Sequence, residues 1–223
     1  MPVTTETPVG QIAANHPLAT RVFARHKIDF CCGGGLPLQE ACAKKGIDAS
    51  TIVAEIEKEL ATKNDSDVRW DEKPLDELID HILSAYHRPL DEELPRLEAM
   101  ARKVSQVHHD KDPQRLSEML KVFLELKAEL QQHMMKEEQI LFPMIRQGQG
   151  AMAGAPVSMM MQEHDAAGEA LRQLRSLTDD YNPPPEACNT WRALWHGLGD
   201  LETQMHQHIH LENNILFPRA LAG

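Results

Sequence analysis

The sequence predicts an all-α protein, with a small N-terminal helical unit followed by an antiparallel four-helix bundle. Three observations carry this prediction. The chain of 223 residues is 42% apolar but only 4% aromatic, and leucine, alanine, methionine and glutamate are plentiful, which favours helix over sheet. Turn and cap signals delimit four long segments between about residues 75 and 218. One segment also recurs: His133-Met-Met-Lys-Glu137-Glu-Gln-Ile-Leu-Phe-Pro143 returns as His208-Ile-His-Leu-Glu212-Asn-Asn-Ile-Leu-Phe-Pro218.

Residues 1–62 read as a separate helical unit. Thr7-Pro8 and His16-Pro17 place proline where a first helical turn tolerates it, and Leu18, Val22 and Phe23 mark one helix face. The run Asp29-Phe-Cys31-Cys32-Gly33-Gly-Gly35 is predicted as a tight loop, because three consecutive glycines break helix and strand alike. Pro37 restarts a helix that Gly46 ends; Asp48 caps the next, with Ile52, Ile56 and Leu60 on one stripe. Residues 63–73 read as a linker, and residues 74–223 as the bundle.

The first bundle segment runs from about Leu75 to Val104 and contains Pro89 and Pro95, which predicts a kink or break near His87. The second runs from Asp112-Pro113, a cap followed by an N-terminal proline, to about Ile145. A glycine-rich turn from Gly148 to Gly154 leads to the third, which spans about Pro156 to Asp180. The rigid turn Tyr181–Pro185 precedes the fourth, which spans about Glu186 to Pro218.

The repeated cassette points to a metal site. Positions i and i+4 share a helix face, so His133 projects with Glu137 and His208 with Glu212. His87 lies 46 residues before His133, and His164 lies 44 before His208, so each hairpin supplies a further imidazole. Packed face to face, the hairpins bring four imidazoles and two carboxylates to one place, as bundle interiors do when they build metal sites. Neutral imidazole and ionised carboxylate suit iron, manganese and zinc. Two carboxylates can each bridge two ions, which leaves room on octahedral iron for a bridging oxide or hydroxide and a small ligand. Two buried carboxylates cost several kcal/mol apiece unless compensated, and a pair of cations compensates them.

The other histidines receive plainer readings. His206 and His210 lie out of phase with Glu212, His81 is expected on the surface, and His108 and His109 in a solvated turn. Glu129 and Glu163 are candidates to orient the ligating imidazoles. Met134, Met135 and Met159 to Met161 are expected as core filler, and Cys42 and Cys188 as packed small residues. Cys31 and Cys32 cannot easily bond each other. Their loop is expected beside a helix start, which would favour thiolates for redox or transfer work, against a purely structural alternative.

A formal charge of −11 argues against nucleic acid as a partner. No stretch approaches the ~20 apolar residues of a membrane span. The opening residues lack the basic start and apolar run of a signal peptide, and the cysteines form no secreted pattern, so a soluble cytoplasmic protein is expected.

Asp29–Gly35, the two cassettes, Glu163-His-Asp165, Pro183-Pro-Pro-Glu-Ala-Cys188 and Leu211–Leu221 together resemble the iron–sulfur cluster repair proteins of the Repair of Iron Centers (YtfE/ScdA) type, over nearly the full length. The resemblance implies a short N-terminal domain joined to a hemerythrin-like di-iron bundle. It implies His87, His133, His164 and His208 as terminal ligands of two non-haem irons, with Glu137 and Glu212 bridging beside an oxo or hydroxo group between the ions. The implied role is repair of clusters damaged by nitric oxide or oxidants, through iron donation or nitric oxide handling, with damaged iron–sulfur proteins as partners and a homodimer as the assembly. The rival expectations are a hemerythrin-like carrier or sensor of O2 or nitric oxide, a nitric oxide or peroxide reductase, and a structural zinc site.

Overall fold

The computed structural model describes residues 3–61 and 68–223, so most of the polar start of the expected linker lies outside the described residues. Those residues are helical apart from turns, loops and one isolated bridge between Pro8 and Pro37. The N-terminal unit contains α1 (Val9–Asn15), α2 (Ala19–Arg25), α3 (Leu38–Ala43) and α4 (Ala49–Ala61). Its short helices close over their own core, in which Val9, Val22, Phe23, Leu38, Ile52 and Ile56 are fully buried. Asp48 accepts from the Ser50 backbone N–H at 3.0 Å at the start of α4, and Gly46 supplies the left-handed φ of 67° just before it.

Four long arms form the bundle. The first is α5 (Leu75–Ile82) continued by α6 (Arg88–Val107), the second α7 (Pro113–Lys136) continued by α8 (Phe142–Arg146). The third is α9 (Gly154–Leu177), the fourth α10 (Asn189–Leu211) continued by α11 (Phe217–Ala222). Asp112 caps α7 by accepting from the Arg115 backbone N–H at 3.3 Å. No helix among the described residues is long and apolar enough to cross a membrane.

The interrupted arms are joined by π-helical turns at Leu83–His87, Glu137–Leu141 and Glu212–Leu216. A proline follows two residues after each turn: Pro89, Pro143 and Pro218. A proline ring has no N–H to give the preceding turn and clashes with its carbonyl, and a locally widened turn absorbs both problems. The break expected near His87 is therefore a π turn, and the arm runs on through it.

Two apolar cores fill the bundle. One holds Leu90, Leu94, Leu97, Phe123, Leu171, Trp191, Trp195 and Leu201; the other holds Leu78, Ile82, Phe142, Ile145, Leu216 and Phe217. A layer of buried His and Glu lies between them along the arms. At one end of the bundle Glu202, only 3% exposed, receives both a 3.2 Å and a 2.5 Å bond from the Arg175 guanidinium. Arg175 also bonds Asp180 and covers the Tyr181 ring, in a turn where Asp179, Asp180 and Tyr181 all take left-handed φ.

The N-terminal unit docks on the fourth arm. Cys31 is buried in the bundle's own core, and the Phe30 ring meets the His210 ring edge-on at 5.5 Å. Asn214 Nδ2 donates to the Phe30 and Cys31 carbonyls at 3.1 and 3.3 Å. Gly10 and Gly34 permit this approach. A Cβ on Gly34 would lie 2.7 Å from Asn214 Oδ1, 2.9 Å from the Phe30 carbonyl and 3.0 Å from Gly10 Cα. Two of those three neighbours are backbone and cannot swing away. Gly34→Ala is expected to cost about 1–3 kcal/mol by overpacking. Calorimetry should show the loss, and alkylation of Cys32 should quicken as the loop lifts; unchanged values in both would sink this account.

Residues 68–73 lie against the bundle end, where Arg219 donates to the Trp70 carbonyl at 2.9 Å and the Trp70 ring stacks on His81 at 4.3 Å. His81 is thus half-covered and not the free surface residue expected.

Candidate metal centre

The π turns set the site. His87 ends the first, and Glu137 and Glu212 open the other two; His164 comes from the unbroken α9. A π turn rotates the side chains that follow it relative to a regular helix, and such turns are frequent at functional sites. All six predicted side chains converge and are almost wholly buried: His87, Glu137 and Glu212 at 0%, His164 and His208 at 1%, His133 at 3%.

They form two cages that share both carboxylates. In one, His87, His208, Glu137 and Glu212 offer donor atoms within 4.8 Å of one another; in the other, His133, His164, Glu137 and Glu212 do the same. Within the first cage the His87 and His208 Nε2 atoms lie 3.2 Å apart, and His208 Nε2 lies 3.1 Å from Glu212 Oε1. Within the second, the His133 and His164 Nε2 atoms lie 3.0 Å apart, and His164 Nε2 lies 3.2 Å from Glu212 Oε2. His87 and His133 each stand 3.4 Å from a Glu137 oxygen.

Three rings have their other nitrogen engaged. Nδ1 of His87 donates to Glu138 Oε1 at 2.9 Å, that of His133 to Glu163 Oε2 at 2.9 Å, and that of His164 to Asn213 Oδ1 at 2.8 Å. These bonds place the ring proton on Nδ1 and leave Nε2 as a lone pair aimed into the cage. The interior therefore presents lone pairs and carboxylate oxygens to one another, with few donors among them. Both Glu137 oxygens and Glu212 Oε2 lack any hydrogen-bond partner. Buried acceptors crowded in this way call for positive charge. The residues present fit a pair of cations.

The electrostatics agree. Burial opposes a charge on His133, but the Glu137 carboxylate beside it, helped by Glu212 and Glu163, raises its pKa to about 9. Burial likewise pushes the Glu212 carboxyl up, and the neighbouring His208 and His164 overcome it and hold the group well below the usual carboxylate range. Without metal the site would hold protons in the cations' place, and binding a metal would release them.

A cavity of about 280 Å³ opens between α7 and α9 and reaches His133 and His164. Glu129, Lys136, Met159, Gln162 and Glu163 line it, and Lys136 pairs with Glu163 there. On another side the N-terminal loop lays the Cys32 sulfur 3.4 Å from the His164 carbonyl. The two thiols lie 3.9 Å apart, Cys31 donating to Cys32, with no disulfide between them.

Several expectations need correction. Of the two carboxylates expected to orient the imidazoles, Glu163 hydrogen-bonds the His133 ring, but Glu129 is exposed at the cavity rim and makes no hydrogen bond to it. The Cys31 thiol is not eased toward thiolate by a helix start. Its contact with Cys32, burial, and the nearby Asp29 push its pKa well up, and the following helix begins only at Leu38. Cys188 is exposed, with its sulfur 3.2 Å from His108 Nε2, and the His108 ring covers Trp191. Met134 and Met160 are core residues, but Met135, Met159 and Met161 face outward. His210, correctly excluded from the cage, is buried against the N-terminal unit; burial lowers its pKa to about 4 and keeps it neutral.

The sequence reading missed Glu138, Asn213 and Asn214. A signal was present, since Glu138 and Asn213 each directly follow a cassette glutamate.

Fold and cage together define a hemerythrin-type cation-binding protein, a donor set compatible with non-haem iron. Residues 78–220 match the Hemerythrin HHE cation binding domain, and residues 5–60 match the ScdA N-terminal domain, described as a domain of unknown function (DUF542). Over 218 residues the chain is 46% identical to the iron-sulfur cluster repair protein YtfE of Escherichia coli O81 (strain ED1a), covering 98% of each chain. The same identity and coverage hold for the proteins of that name from E. coli O1:K1 and Escherichia fergusonii. The chain belongs to the iron–sulfur cluster repair protein family.

Proposed function

We propose that this protein holds two non-haem irons and uses them in the repair of iron–sulfur clusters damaged by nitrosative or oxidative stress in the cytoplasm. His87 and His208 hold one ion, His133 and His164 the other, and Glu137 and Glu212 bridge them. The observation that carries this reading is the pair of four-residue cages sharing both carboxylates. The relatives' printed name, iron-sulfur cluster repair protein, supplies the process.

When bound, the iron pair supplies redox-active centres with open positions for a small ligand such as nitric oxide or O2, or iron itself as cargo for a damaged cluster. The chain's own groups govern access and grip. The six ligands are imidazole and carboxylate only, a less firm hold than a cage of thiolates gives a structural metal. Glu138, Glu163 and Asn213 fix the ring tautomers. The cavity beside His133 and His164 gives a small ligand or an ion a path to one cage. Contact of Cys32 with the His164 backbone supports a transfer role for the thiol pair.

Incubation of a nitric oxide-damaged cluster enzyme with the iron-loaded protein tests the reading. Recovery of the enzyme's activity is expected, with iron leaving the repair protein in step. Free ferrous iron that restores activity where the protein fails would count decisively against iron donation. In the same assay a Cys31→Ala/Cys32→Ala variant is expected to slow recovery; an unchanged rate would leave the thiols a structural role.

A further inference from the structure

The two cages are related by the repeat, and the relation breaks at one residue. Glu138, directly after the first cassette glutamate, supports His87; Asn213, directly after the second, supports His164. The residue preceding His164 is Glu163, which crosses to support His133 of the other hairpin. The residue preceding His87 is Tyr86, which crosses to His208 in the same way. It offers the His208 ring an aromatic face instead of an acceptor, with centroids 5.2 Å apart and planes within 9°. His208 Nδ1 is buried and has no hydrogen-bond partner.

A ring that binds metal through Nε2 must keep its proton on Nδ1. For His208 that proton is buried with nothing to accept it, so the metal-binding tautomer is disfavoured there and nowhere else in the centre. Nor does any acceptor draw the proton outward and raise the basicity of Nε2. From this we propose that the two ions are held unequally: the cage of His133 and His164 fills first and tightly, the cage of His87 and His208 last and weakly. Tyr86 is the positioning residue that sets the difference. The inference rests on the di-metal reading above, and it identifies the ion that a repair donor gives up.

Zinc(II) serves as a diamagnetic probe. The full metal-free chain, labelled in its histidine rings, is titrated with zinc while the ring resonances are followed by NMR. His133 and His164 are expected to shift with the first equivalent, and His87 and His208 with the second. Orienting partners of ligand rings typically change metal affinity 10–100-fold, so a competing chelator should resolve two steps separated by about that factor. Tyr86→Glu, which supplies the missing acceptor, should tighten the second step and bring the two together. Asn213→Ala should weaken the first step, and Asn213→Asp should restore it. If all four rings shift together, if the order is reversed, or if Asn213→Ala weakens only the second step, the inference is overturned. Uptake of fewer than two ions would overturn the di-metal reading itself, and the inference with it.

Discussion

Glu212→Ala is expected to strip the centre of its iron. Glu212 is fully buried, belongs to both cages, and lies 3.1 Å from His208 Nε2 and 3.2 Å from His164 Nε2. On the di-iron reading its removal would take one oxygen donor from each cage and half the anionic charge between them. Iron content should fall from about two per chain to well under one, because both cages lose a member at once. Stability should follow by mass action. A ligand present at a hundred times its dissociation constant stabilises the native state by about 2.7 kcal/mol. For a chain of this length that is on the order of 5–11 °C in Tm. Chelation should therefore lower the Tm of the wild type and leave that of Glu212→Ala nearly unmoved. Full iron content in the variant would refute the bridging assignment. An equal response to chelation would refute the coupling of metal to fold.

The second large effect lies away from the metal. Arg175→Ala should leave the Glu202 carboxylate buried without the guanidinium that now gives it two hydrogen bonds. Breaking a buried pair by removing one partner costs about 3–5 kcal/mol, much more than the pair contributes when intact. The same truncation removes the bond to Asp180 and the cover over Tyr181, in a turn already carrying three left-handed residues. A fall in Tm on the order of 6–20 °C is expected by calorimetry, with iron content per folded chain unchanged. Replacing both partners, Arg175→Met with Glu202→Leu, should recover most of the loss, because no orphaned charge then remains. A double variant as unstable as the single one would show that the cost comes from packing.

Much of the centre was legible in the chain. The His-x3-Glu spacing placed a His and a Glu on one helix face whatever the rest of the fold did, and the repeat pointed to the remaining histidines that join the cluster. Helical periodicity with the cap at Asp112 gave the arms, and the cap at Asp48 gave the last helix of the N-terminal unit. The partners of the ring nitrogens were less legible. Glu129 stands one regular turn before His133 in sequence, yet it is exposed, while Glu163 reaches His133 from another arm. Spacing along one helix cannot report which neighbour crosses from the next. Exposure of Met135, Met159 and Met161 was missed for a related reason. Methionine suits both core and surface, and only packing decides its face.

By itself the sequence determined the helical class, the boundaries of the arms to within a few residues, and which six His and Glu side chains would converge, because all of these follow from local periodicity and repetition. Only the tertiary structure decided the docking of the cysteine loop on the His164 backbone and the unpartnered nitrogen of His208. Each of those depends on which surfaces meet across distant parts of the chain, and no local pattern encodes that meeting.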